Sequence, residues 1–483
     1  MVFHARVNRE GMEHPRFQYL SRAQCEALHN ASLEILSRTG VRLYLEEAIE
    51  LLRKAGCSVT DGNRVRIPAG LVEKALSTVP KRITLYDREG KPALFLEPGR
   101  CYYGPGSDCL HIIDHRTGRR RDPVLQDIVD GITLCDALPR IGFVMSMFLP
   151  SDVNQLVSDR YQMEVMLNHT TKPIVFVTNE FSGCVDAVKM AEIVVGGETV
   201  LRERPFVACY INVTTGLRHN EEALQKLLFL AEKGIPALYI PVVIGGLTAP
   251  MSEPAGMAMV NAGVLAGLVL SQLKREGAPF IVPGWGGAGL DMRTTVNPYC
   301  WPDSRGMAHA LAQYYNLPMF GIGGCSESKD VDSQAAAEAA LTMMAETLGG
   351  AQLIHDLGYL ESGLTTSLAQ LVICHEIAGW IAKFLSPTPV NDETLALDLI
   401  DQVGPDGQFL DTPHTLQHFR DFWYPEVFER MDYFGWQSAG AKLAPQRAAE
   451  YVQRVLETHQ PPLLPEDLRR RVHAVVEEAE AKL

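Results

Sequence analysis

From about residue 140 the sequence repeats one unit, a short apolar run, then a polar or glycine-rich loop, then a helical stretch. The apolar runs are 142–147, 174–178, 206–211, 237–243, 280–283, 319–322 and 352–355. Their starts lie roughly 30 to 40 residues apart, the span of one strand, a crossover helix and the return to a parallel neighbour. Several runs are apolar at every position, as strands covered by helices should be. Seven units are one short of a closed (β/α)8 barrel, and the missing strand is sought at 110–113 or 101–103. The predicted fold class is therefore α/β, a (β/α)8 TIM-type barrel, with an open doubly wound sheet as the alternative.

Both flanks break this period. Residues 1–100 read as helices followed by hairpins. Ser21 with Gln24 forms a capping box for a helix carrying Leu28, Ala31, Ile35 and Leu36 on one face, and Gly40 ends it. Further helices are expected over 46–55 and between Pro68 and Pro80, followed by strands 83–86 and 93–96 around a turn at Glu89, Gly90 and Lys91. After the run Ser386, Pro387, Thr388, Pro389, residues 386–483 read as a helical C-terminal cap, which leaves 101–385 for the barrel.

The charge balance narrows the function classes. Lys and Arg total 44 against 58 Asp and Glu, a formal charge of -14, which argues against nucleic acid and anionic membranes as partners. Ten cysteines without any C-x-x-C pair fit reduced thiols, and the polar, mixed-charge N-terminus has no apolar core of a secretory signal, so a cytoplasmic protein is expected. The twenty uncharged residues 254–273 are long enough to span a bilayer. Their Ala and Gly content and Asn261 point instead to a buried helix.

In a parallel barrel the active site forms at the C-terminal strand ends. The residues there are Met147-Phe148, Thr178-Asn179-Glu180, Asn212 with Thr214-Thr215, Gly245-Gly246, Gly284-Trp285-Gly286-Gly287, Gly323-Gly324-Cys325-Ser326-Glu327 and His355-Asp356. Glycines at three of these turns let a large or flat ligand approach the backbone, although tight βα turns need them too. Tyr102, Tyr103, Phe148, Phe181, Tyr210 and Trp285 are rings near these ends, and rings around a pocket hold a quaternary ammonium by cation–π attraction. Core packing accounts for at least half of them.

Several motifs fail in context. Gly284, Gly286 and Gly289 satisfy G-x-G-x-x-G, but Asn297-Pro298 and Trp301-Pro302 follow where a helix should receive a pyrophosphate. His375-Glu376 begins like a zincin motif, yet position 379 is Gly. There is no G-x-S-x-G elbow, no Walker A loop and no D-x-H-x-x-G cobalamin-binding loop.

The segment Gly323-Gly324-Cys325-Ser326-Glu327-Ser328-Lys329-Asp330-Val331-Asp332-Ser333-Gln334-Ala335, followed by Glu338, resembles the trimethylamine methyltransferase superfamily. Pyrrolysine members carry S-pyrrolysine-S-D-A-K-x-P-D-x-Q-A here, matched by Ser326, Lys329, Asp332 and Gln334. Residues 360–365 leading to Gln370, and the small-residue helix around Asn261, Gly267 and Gln272, match as well. Cys325 stands at the pyrrolysine position, so the chain resembles the non-pyrrolysine members, some similar to glycine betaine and other quaternary amine methyltransferases. The resemblance implies transfer of an N-methyl group from a small quaternary amine to the Co(I) of a partner corrinoid protein, with no cofactor bound tightly by this chain. A barrel methyltransferase using a folate acceptor and a non-catalytic betaine-binding protein are the alternatives, and the oligomeric state stays open, a homodimer being one outcome because barrels of this size often pair.

Site expectations follow. Trp285, with Tyr103, Phe148 and Tyr210, is expected to wall the ammonium pocket, and Asn179, Asn212, Cys325 and Glu327 to complete the substrate site. Cys325 is expected to line the pocket without acting as a nucleophile. Gly286, Gly324 and Ser326 are expected on the side that meets the corrinoid. His355 and Glu361 are expected nearest the reacting centre, His355 towards the corrinoid with Asp356 fixing its tautomer, and Glu361 in support of the pocket.

Overall fold

The computed structural model describes residues 17–286, 289–300 and 305–483. Gly287, Trp301, Pro302 and most of the N-terminal stretch read above lie outside the described residues. Seven strands form one parallel sheet: β1 (Tyr102–Tyr103), β2 (Ile174–Phe176), β3 (Val207–Val213), β4 (Ala237–Pro241), β5 (Phe280–Pro283), β6 (Met319–Ile322) and β7 (Leu353–His355). Their spatial order is β1-β7-β6-β5-β4-β3-β2. Residues 141–144 close the ring, bridging Tyr103 through Ile141 and Ile174 through Val144. Gly142 N–H donates to Tyr103 O at 2.7 Å and Val175 N–H to Val144 O at 2.9 Å. The missing strand is thus the one at 101–103. The alternative, seen as His111–Ile113, joins a separate small sheet with Arg120–Arg121 and Thr365–Thr366.

The expected strand 142–147 is reduced to those bridges for a local reason. Met147 takes φ 64°, and its N–H and C=O turn away to Gly106 and Cys109. A left-handed residue cannot continue a ladder.

Eight helices cover the outside, one after each strand position, from Leu125–Ala137 and Ser158–His169 round to Ser333–Gly349 and Leu368–Phe384. Tyr102, Phe143, Met145, Val175, Leu238, Ile281, Phe320 and Leu353 fill the lumen. The hairpin of Ile83–Tyr86 and Pro92–Leu96 joins the same cluster through Leu85 and Leu94 and plugs the N-terminal end. The C-terminal mouth is the end at which barrels of this type do their chemistry.

The helix Glu253–Lys274 is the membrane-length segment. It lies buried in the outer layer beneath Arg22–Glu34 and Ala69–Thr78. Asn261 is the reason it can carry an amide there, since its Nδ2 donates to Ser32 Oγ and to Tyr315 Oη, both at 2.9 Å. The Ser21–Gln24 capping box forms, and Gly40 stops the first helix at φ 73°. At the other end, Ala444–Thr458 packs on Leu368–Phe384 and Leu125–Ala137, and Glu466–Glu480 on Ser158–His169 and Phe181–Val195. These two helices strap the side of the barrel across the 141–144 closure.

Candidate active site

Four loops meet over the mouth. The first follows β1 and reads Gly104-Pro105-Gly106-Ser107-Asp108. A Cβ at Gly106 would collide with Oδ1 of Asp356 and with the ring of Tyr359, so glycine is required for the loop to lie against β7's exit. Tyr359 Oη donates to Ser107 O. Asp108 is held at φ 64°, its carboxylate taking a hydrogen bond from Gln162 Nε2 at 3.1 Å. Burial pushes its pKa up.

The loop after β7 carries the centre of the site. His355 stacks on Phe320 and sits 5.9 Å, ring to ring, from Trp285 and 6.1 Å from Tyr210. Its Nδ1–H donates to Gly321 O at 2.7 Å, and Nε2 lies 3.3 Å from Oδ1 of Asp356. Burial drives the imidazole pKa down to about 3, so the ring is neutral with its proton on Nδ1. Asp356 takes φ 74°. Its carboxyl is pushed well above the usual range by burial and then by Cys325, and its Oδ2 is buried without a hydrogen-bond partner. An orphaned buried carboxylate oxygen is costly, and residues held in the left-handed region concentrate at functional sites.

The third and fourth loops follow β5 and β6. Tyr299 lies across Gly363, and burial, then Asp356, pushes its phenol well above the ordinary range, so it is neutral. Arg305, buried and paired with Glu346 at 2.9 Å, donates to the carbonyls of Tyr299 and Ile322. Glu327 accepts from the backbone N–H groups of Tyr299 and Cys300 and from Ser362 Oγ. Cys300 Sγ stands 3.7 Å from Cys325 Sγ, and the hydrogen bond from Cys300, with Arg305 nearby, makes Cys325 the more acidic thiol.

The expected residues therefore divide. Trp285, Tyr210 and His355 come together, with Trp285 and Tyr210 half-buried at the top of the lumen. Asn212 follows Tyr210 by two along β3 and shares its face at the exposed rim. Tyr103 and Phe148 are corrected. Tyr103 points outward and hydrogen-bonds Thr347 Oγ1 at 2.7 Å, and Phe148 is wholly buried against Leu125–Ala137. Strand alternation puts Tyr102, not Tyr103, inside.

Glu361 is likewise drawn away. Its carboxylate is bound by Arg120 at 3.0 Å and Thr365 Oγ1 at 2.6 Å. Asn179 is exposed, and its Nδ2 donates at 3.1 Å to Gln155 O in the preceding strand–helix loop. Cys325 is fully buried behind Tyr299 and Cys300 instead of facing an open pocket. Ser326 Oγ is spent on Glu338 at 2.7 Å. Gly324, at φ 76°, packs against Leu357, and Gly286 is buried. Asp356 was expected to fix the tautomer of His355; the Gly321 carbonyl does so instead.

Asp108, Tyr299 and the orphaned oxygen of Asp356 are the residues that local reading misses. Gly-x-Gly-x-Asp, directly after the strand at 101–103, is the signal that marks the first of them.

The sequence profile of the family described as Trimethylamine methyltransferase (MTTB) matches residues 4–483. The chain belongs to this family. It is 34% identical over 459 residues to trimethylamine methyltransferase MttB of Desulfitobacterium hafniense (strain DSM 10664 / DCB-2), covering 94% of this chain and 92% of the relative. It is 29% identical over 469 residues to the glycine betaine methyltransferase of Desulfitobacterium hafniense (strain Y51), covering 96% and 97%. The crystal structure of a hydroxylamine complex of MtmB superposes with a TM-score of 0.50 at 10% identity, covering 92% of this chain and 88% of that one, a likeness of fold alone. Cys325 at the pyrrolysine position marks the chain as a non-pyrrolysine member of its family.

Proposed function

We propose that this family member removes a methyl group from a small quaternary amine of the glycine betaine type and passes it to the Co(I) of a corrinoid on a partner protein. The observation that carries the reading is the unpartnered Oδ2 of Asp356, whose other oxygen lies 3.3 Å from Nε2 of His355, the ring that Tyr210 and Trp285 flank. A permanent cation cannot be satisfied by hydrogen bonds. It is held by ring faces and by a counter-charge, and both are present. A cation entering also relieves the burial penalty on Asp356, whose charge is then expressed only when substrate is bound.

Cys325 fits the same chemistry. A tertiary amine needs protonation or another activation before its nitrogen leaves, whereas a quaternary ammonium departs as a neutral amine without a covalent holder. The residues of this chain then have two tasks, orienting one N-methyl group outward and excluding water from it. The stacked, neutral His355 supplies a fixed wall, with its unprotonated Nε2 turned to Oδ1 of Asp356 at 3.3 Å.

The partner has a surface to meet. Leu247, Met251, Met292 and Val296, on the loops after β4 and β5, are exposed, and Met251 and Met292 bracket Gly246. Apolar, methionine-rich rims suit a transient protein partner. The corrinoid supplies the nucleophile when that partner docks.

The test incubates Co(I) corrinoid protein with this chain and a panel of glycine betaine, proline betaine, carnitine and choline, following corrinoid absorbance. Methylation with at least one amine is expected. Calorimetric binding of an amine without turnover would favour a non-catalytic binding protein, and turnover with folate alone would move the acceptor assignment.

A further inference from the structure

Outside the barrel, the stretch from Asp392 to Asp421 contains no buried residue, so it has no apolar core to hold it. It exposes Leu397, Leu410 and Leu416. Yet its short helices Asp392–Leu395 and Pro413–His418 bring Glu393, His414 and His418 together, one ligand atom from each lying within 4.8 Å of the others. His414 and His418 are four apart and therefore share one helical face, with ring centroids 4.4 Å apart.

Two observations set this group apart from a surface ion pair. His418 has carboxylates at both ring nitrogens, Glu393 at 2.8 Å from Nε2 and Asp421 at 2.7 Å from Nδ1. An imidazolium donates to both carboxylates, whereas a neutral imidazole donates to one and leaves its other nitrogen free to take a metal. A metal between Nε2 and Glu393 leaves Nδ1–H donated to Asp421, the carboxylate–histidine–metal arrangement. In addition, Nε2 of His414 is buried and has no hydrogen-bond partner. Asp392, Asp398 and Asp411 line a hollow of about 880 Å³ together with Glu393 and His414, and add a field that favours a cation.

We propose that Glu393, His414 and His418 form a zinc site, with Asp421 orienting His418 and water completing the coordination. Two imidazoles and one carboxylate are a borderline donor set that suits zinc and disfavours magnesium or calcium, which take oxygen ligands. Held this way, the ion cross-links two turns that no hydrophobic contact joins, and its binding energy orders the segment.

The full-length protein, stripped with EDTA, is titrated with zinc chloride against a chromophoric chelator, and bound zinc is counted by elemental mass spectrometry. One zinc per chain is expected, lost in His414→Ala and His418→Ala and bound about 10- to 100-fold more weakly in Asp421→Asn. Cobalt(II) in its place is expected to give visible absorption without a thiolate charge-transfer band. A thiolate band, an unchanged stoichiometry in both histidine variants, or equal affinity in Glu393→Gln would overturn the site. Should the histidine variants fail to fold, the affinities of Glu393→Gln and Asp421→Asn decide the matter.

Discussion

The imidazole of His355 lies flat on the ring of Phe320, with centroids 3.9 Å apart and planes inclined by 24°. Together with the Gly321 carbonyl on Nδ1, this contact fixes the ring plane, the tautomer and the charge at the centre of the mouth. Nothing about it depends on bound substrate. The site is pre-organised, which is how a barrel loop gains precision.

Charge neutrality of that ring has a pH signature. The folded-state pKa of His355 is driven down to about 3, and those of His219 and His375 to about 4 and about 3, by burial. As pH falls below about 6.5 the unfolded chain binds these protons first, so stability is intact above that value and declines towards pH 3. Denaturant unfolding between pH 6.5 and 4 should show this loss. In His355→Gln the slope should be shallower, by up to about 1.4 kcal/mol per pH unit. An identical slope would remove His355 from the account. The same variant should need more corrinoid protein for half-maximal rate while binding amine unchanged.

Asp356 predicts a proton linkage for substrate as well. Burial raises its folded-state pKa, and an entering cation lowers it, so binding of a quaternary amine should release protons and tighten as pH rises. Calorimetry in two buffers of different ionisation enthalpy reads the released proton directly. Asp356→Asn should abolish the release and weaken binding by roughly 1 to 3 kcal/mol. Proton-neutral binding would show that the carboxylate is not the counter-charge.

The rings separate into two groups by experiment. Trp285→Ala and Tyr210→Ala should each weaken amine binding by about 0.5 to 2 kcal/mol, with little effect on folding because both are half-buried. Tyr103→Ala and Phe148→Ala should instead cost about 3 to 5 kcal/mol of stability and leave amine affinity alone. Thermal unfolding with and without glycine betaine distinguishes the two outcomes in one measurement.

Cys325→Ser should retain amine binding and methyl transfer, since the thiol is buried behind Tyr299 and Cys300 and the chemistry calls for no covalent adduct. Complete inactivation with intact folding would assign a thiolate role.

The barrel is legible because its signal is local and repeated: apolar runs of strand length recur at crossover spacing, and 280–283 and 319–322 match their strands residue for residue. What fails is orientation. In a two-residue strand such as Tyr102–Tyr103 nothing nearby says which ring faces the lumen; that is decided by pairing with Leu353 and Ile354, far along the chain. Glu361 fails for a similar reason, because its partner Arg120 is 241 residues away. Asp356 is visible as a strand-end residue, but its burial under Gly106 and Tyr359 is a tertiary fact. Trp285 and His355 are legible because strand-end position alone carries them to the mouth.

The ring of strands is weakest at 141–144, where isolated bridges replace a ladder, and the two helices nearest the C-terminus cross that seam. Tyr161 reaches Glu480 at 2.9 Å, Lys189 reaches Glu478 at 2.7 Å and Asp136 meets His459 at 2.8 Å. During synthesis the seam is thus complete long before its fastening exists. A ribosome must finish residues 444–480 before β1 and β2 are fastened from outside across 141–144, so the nascent barrel lacks this strap while all its strands already exist.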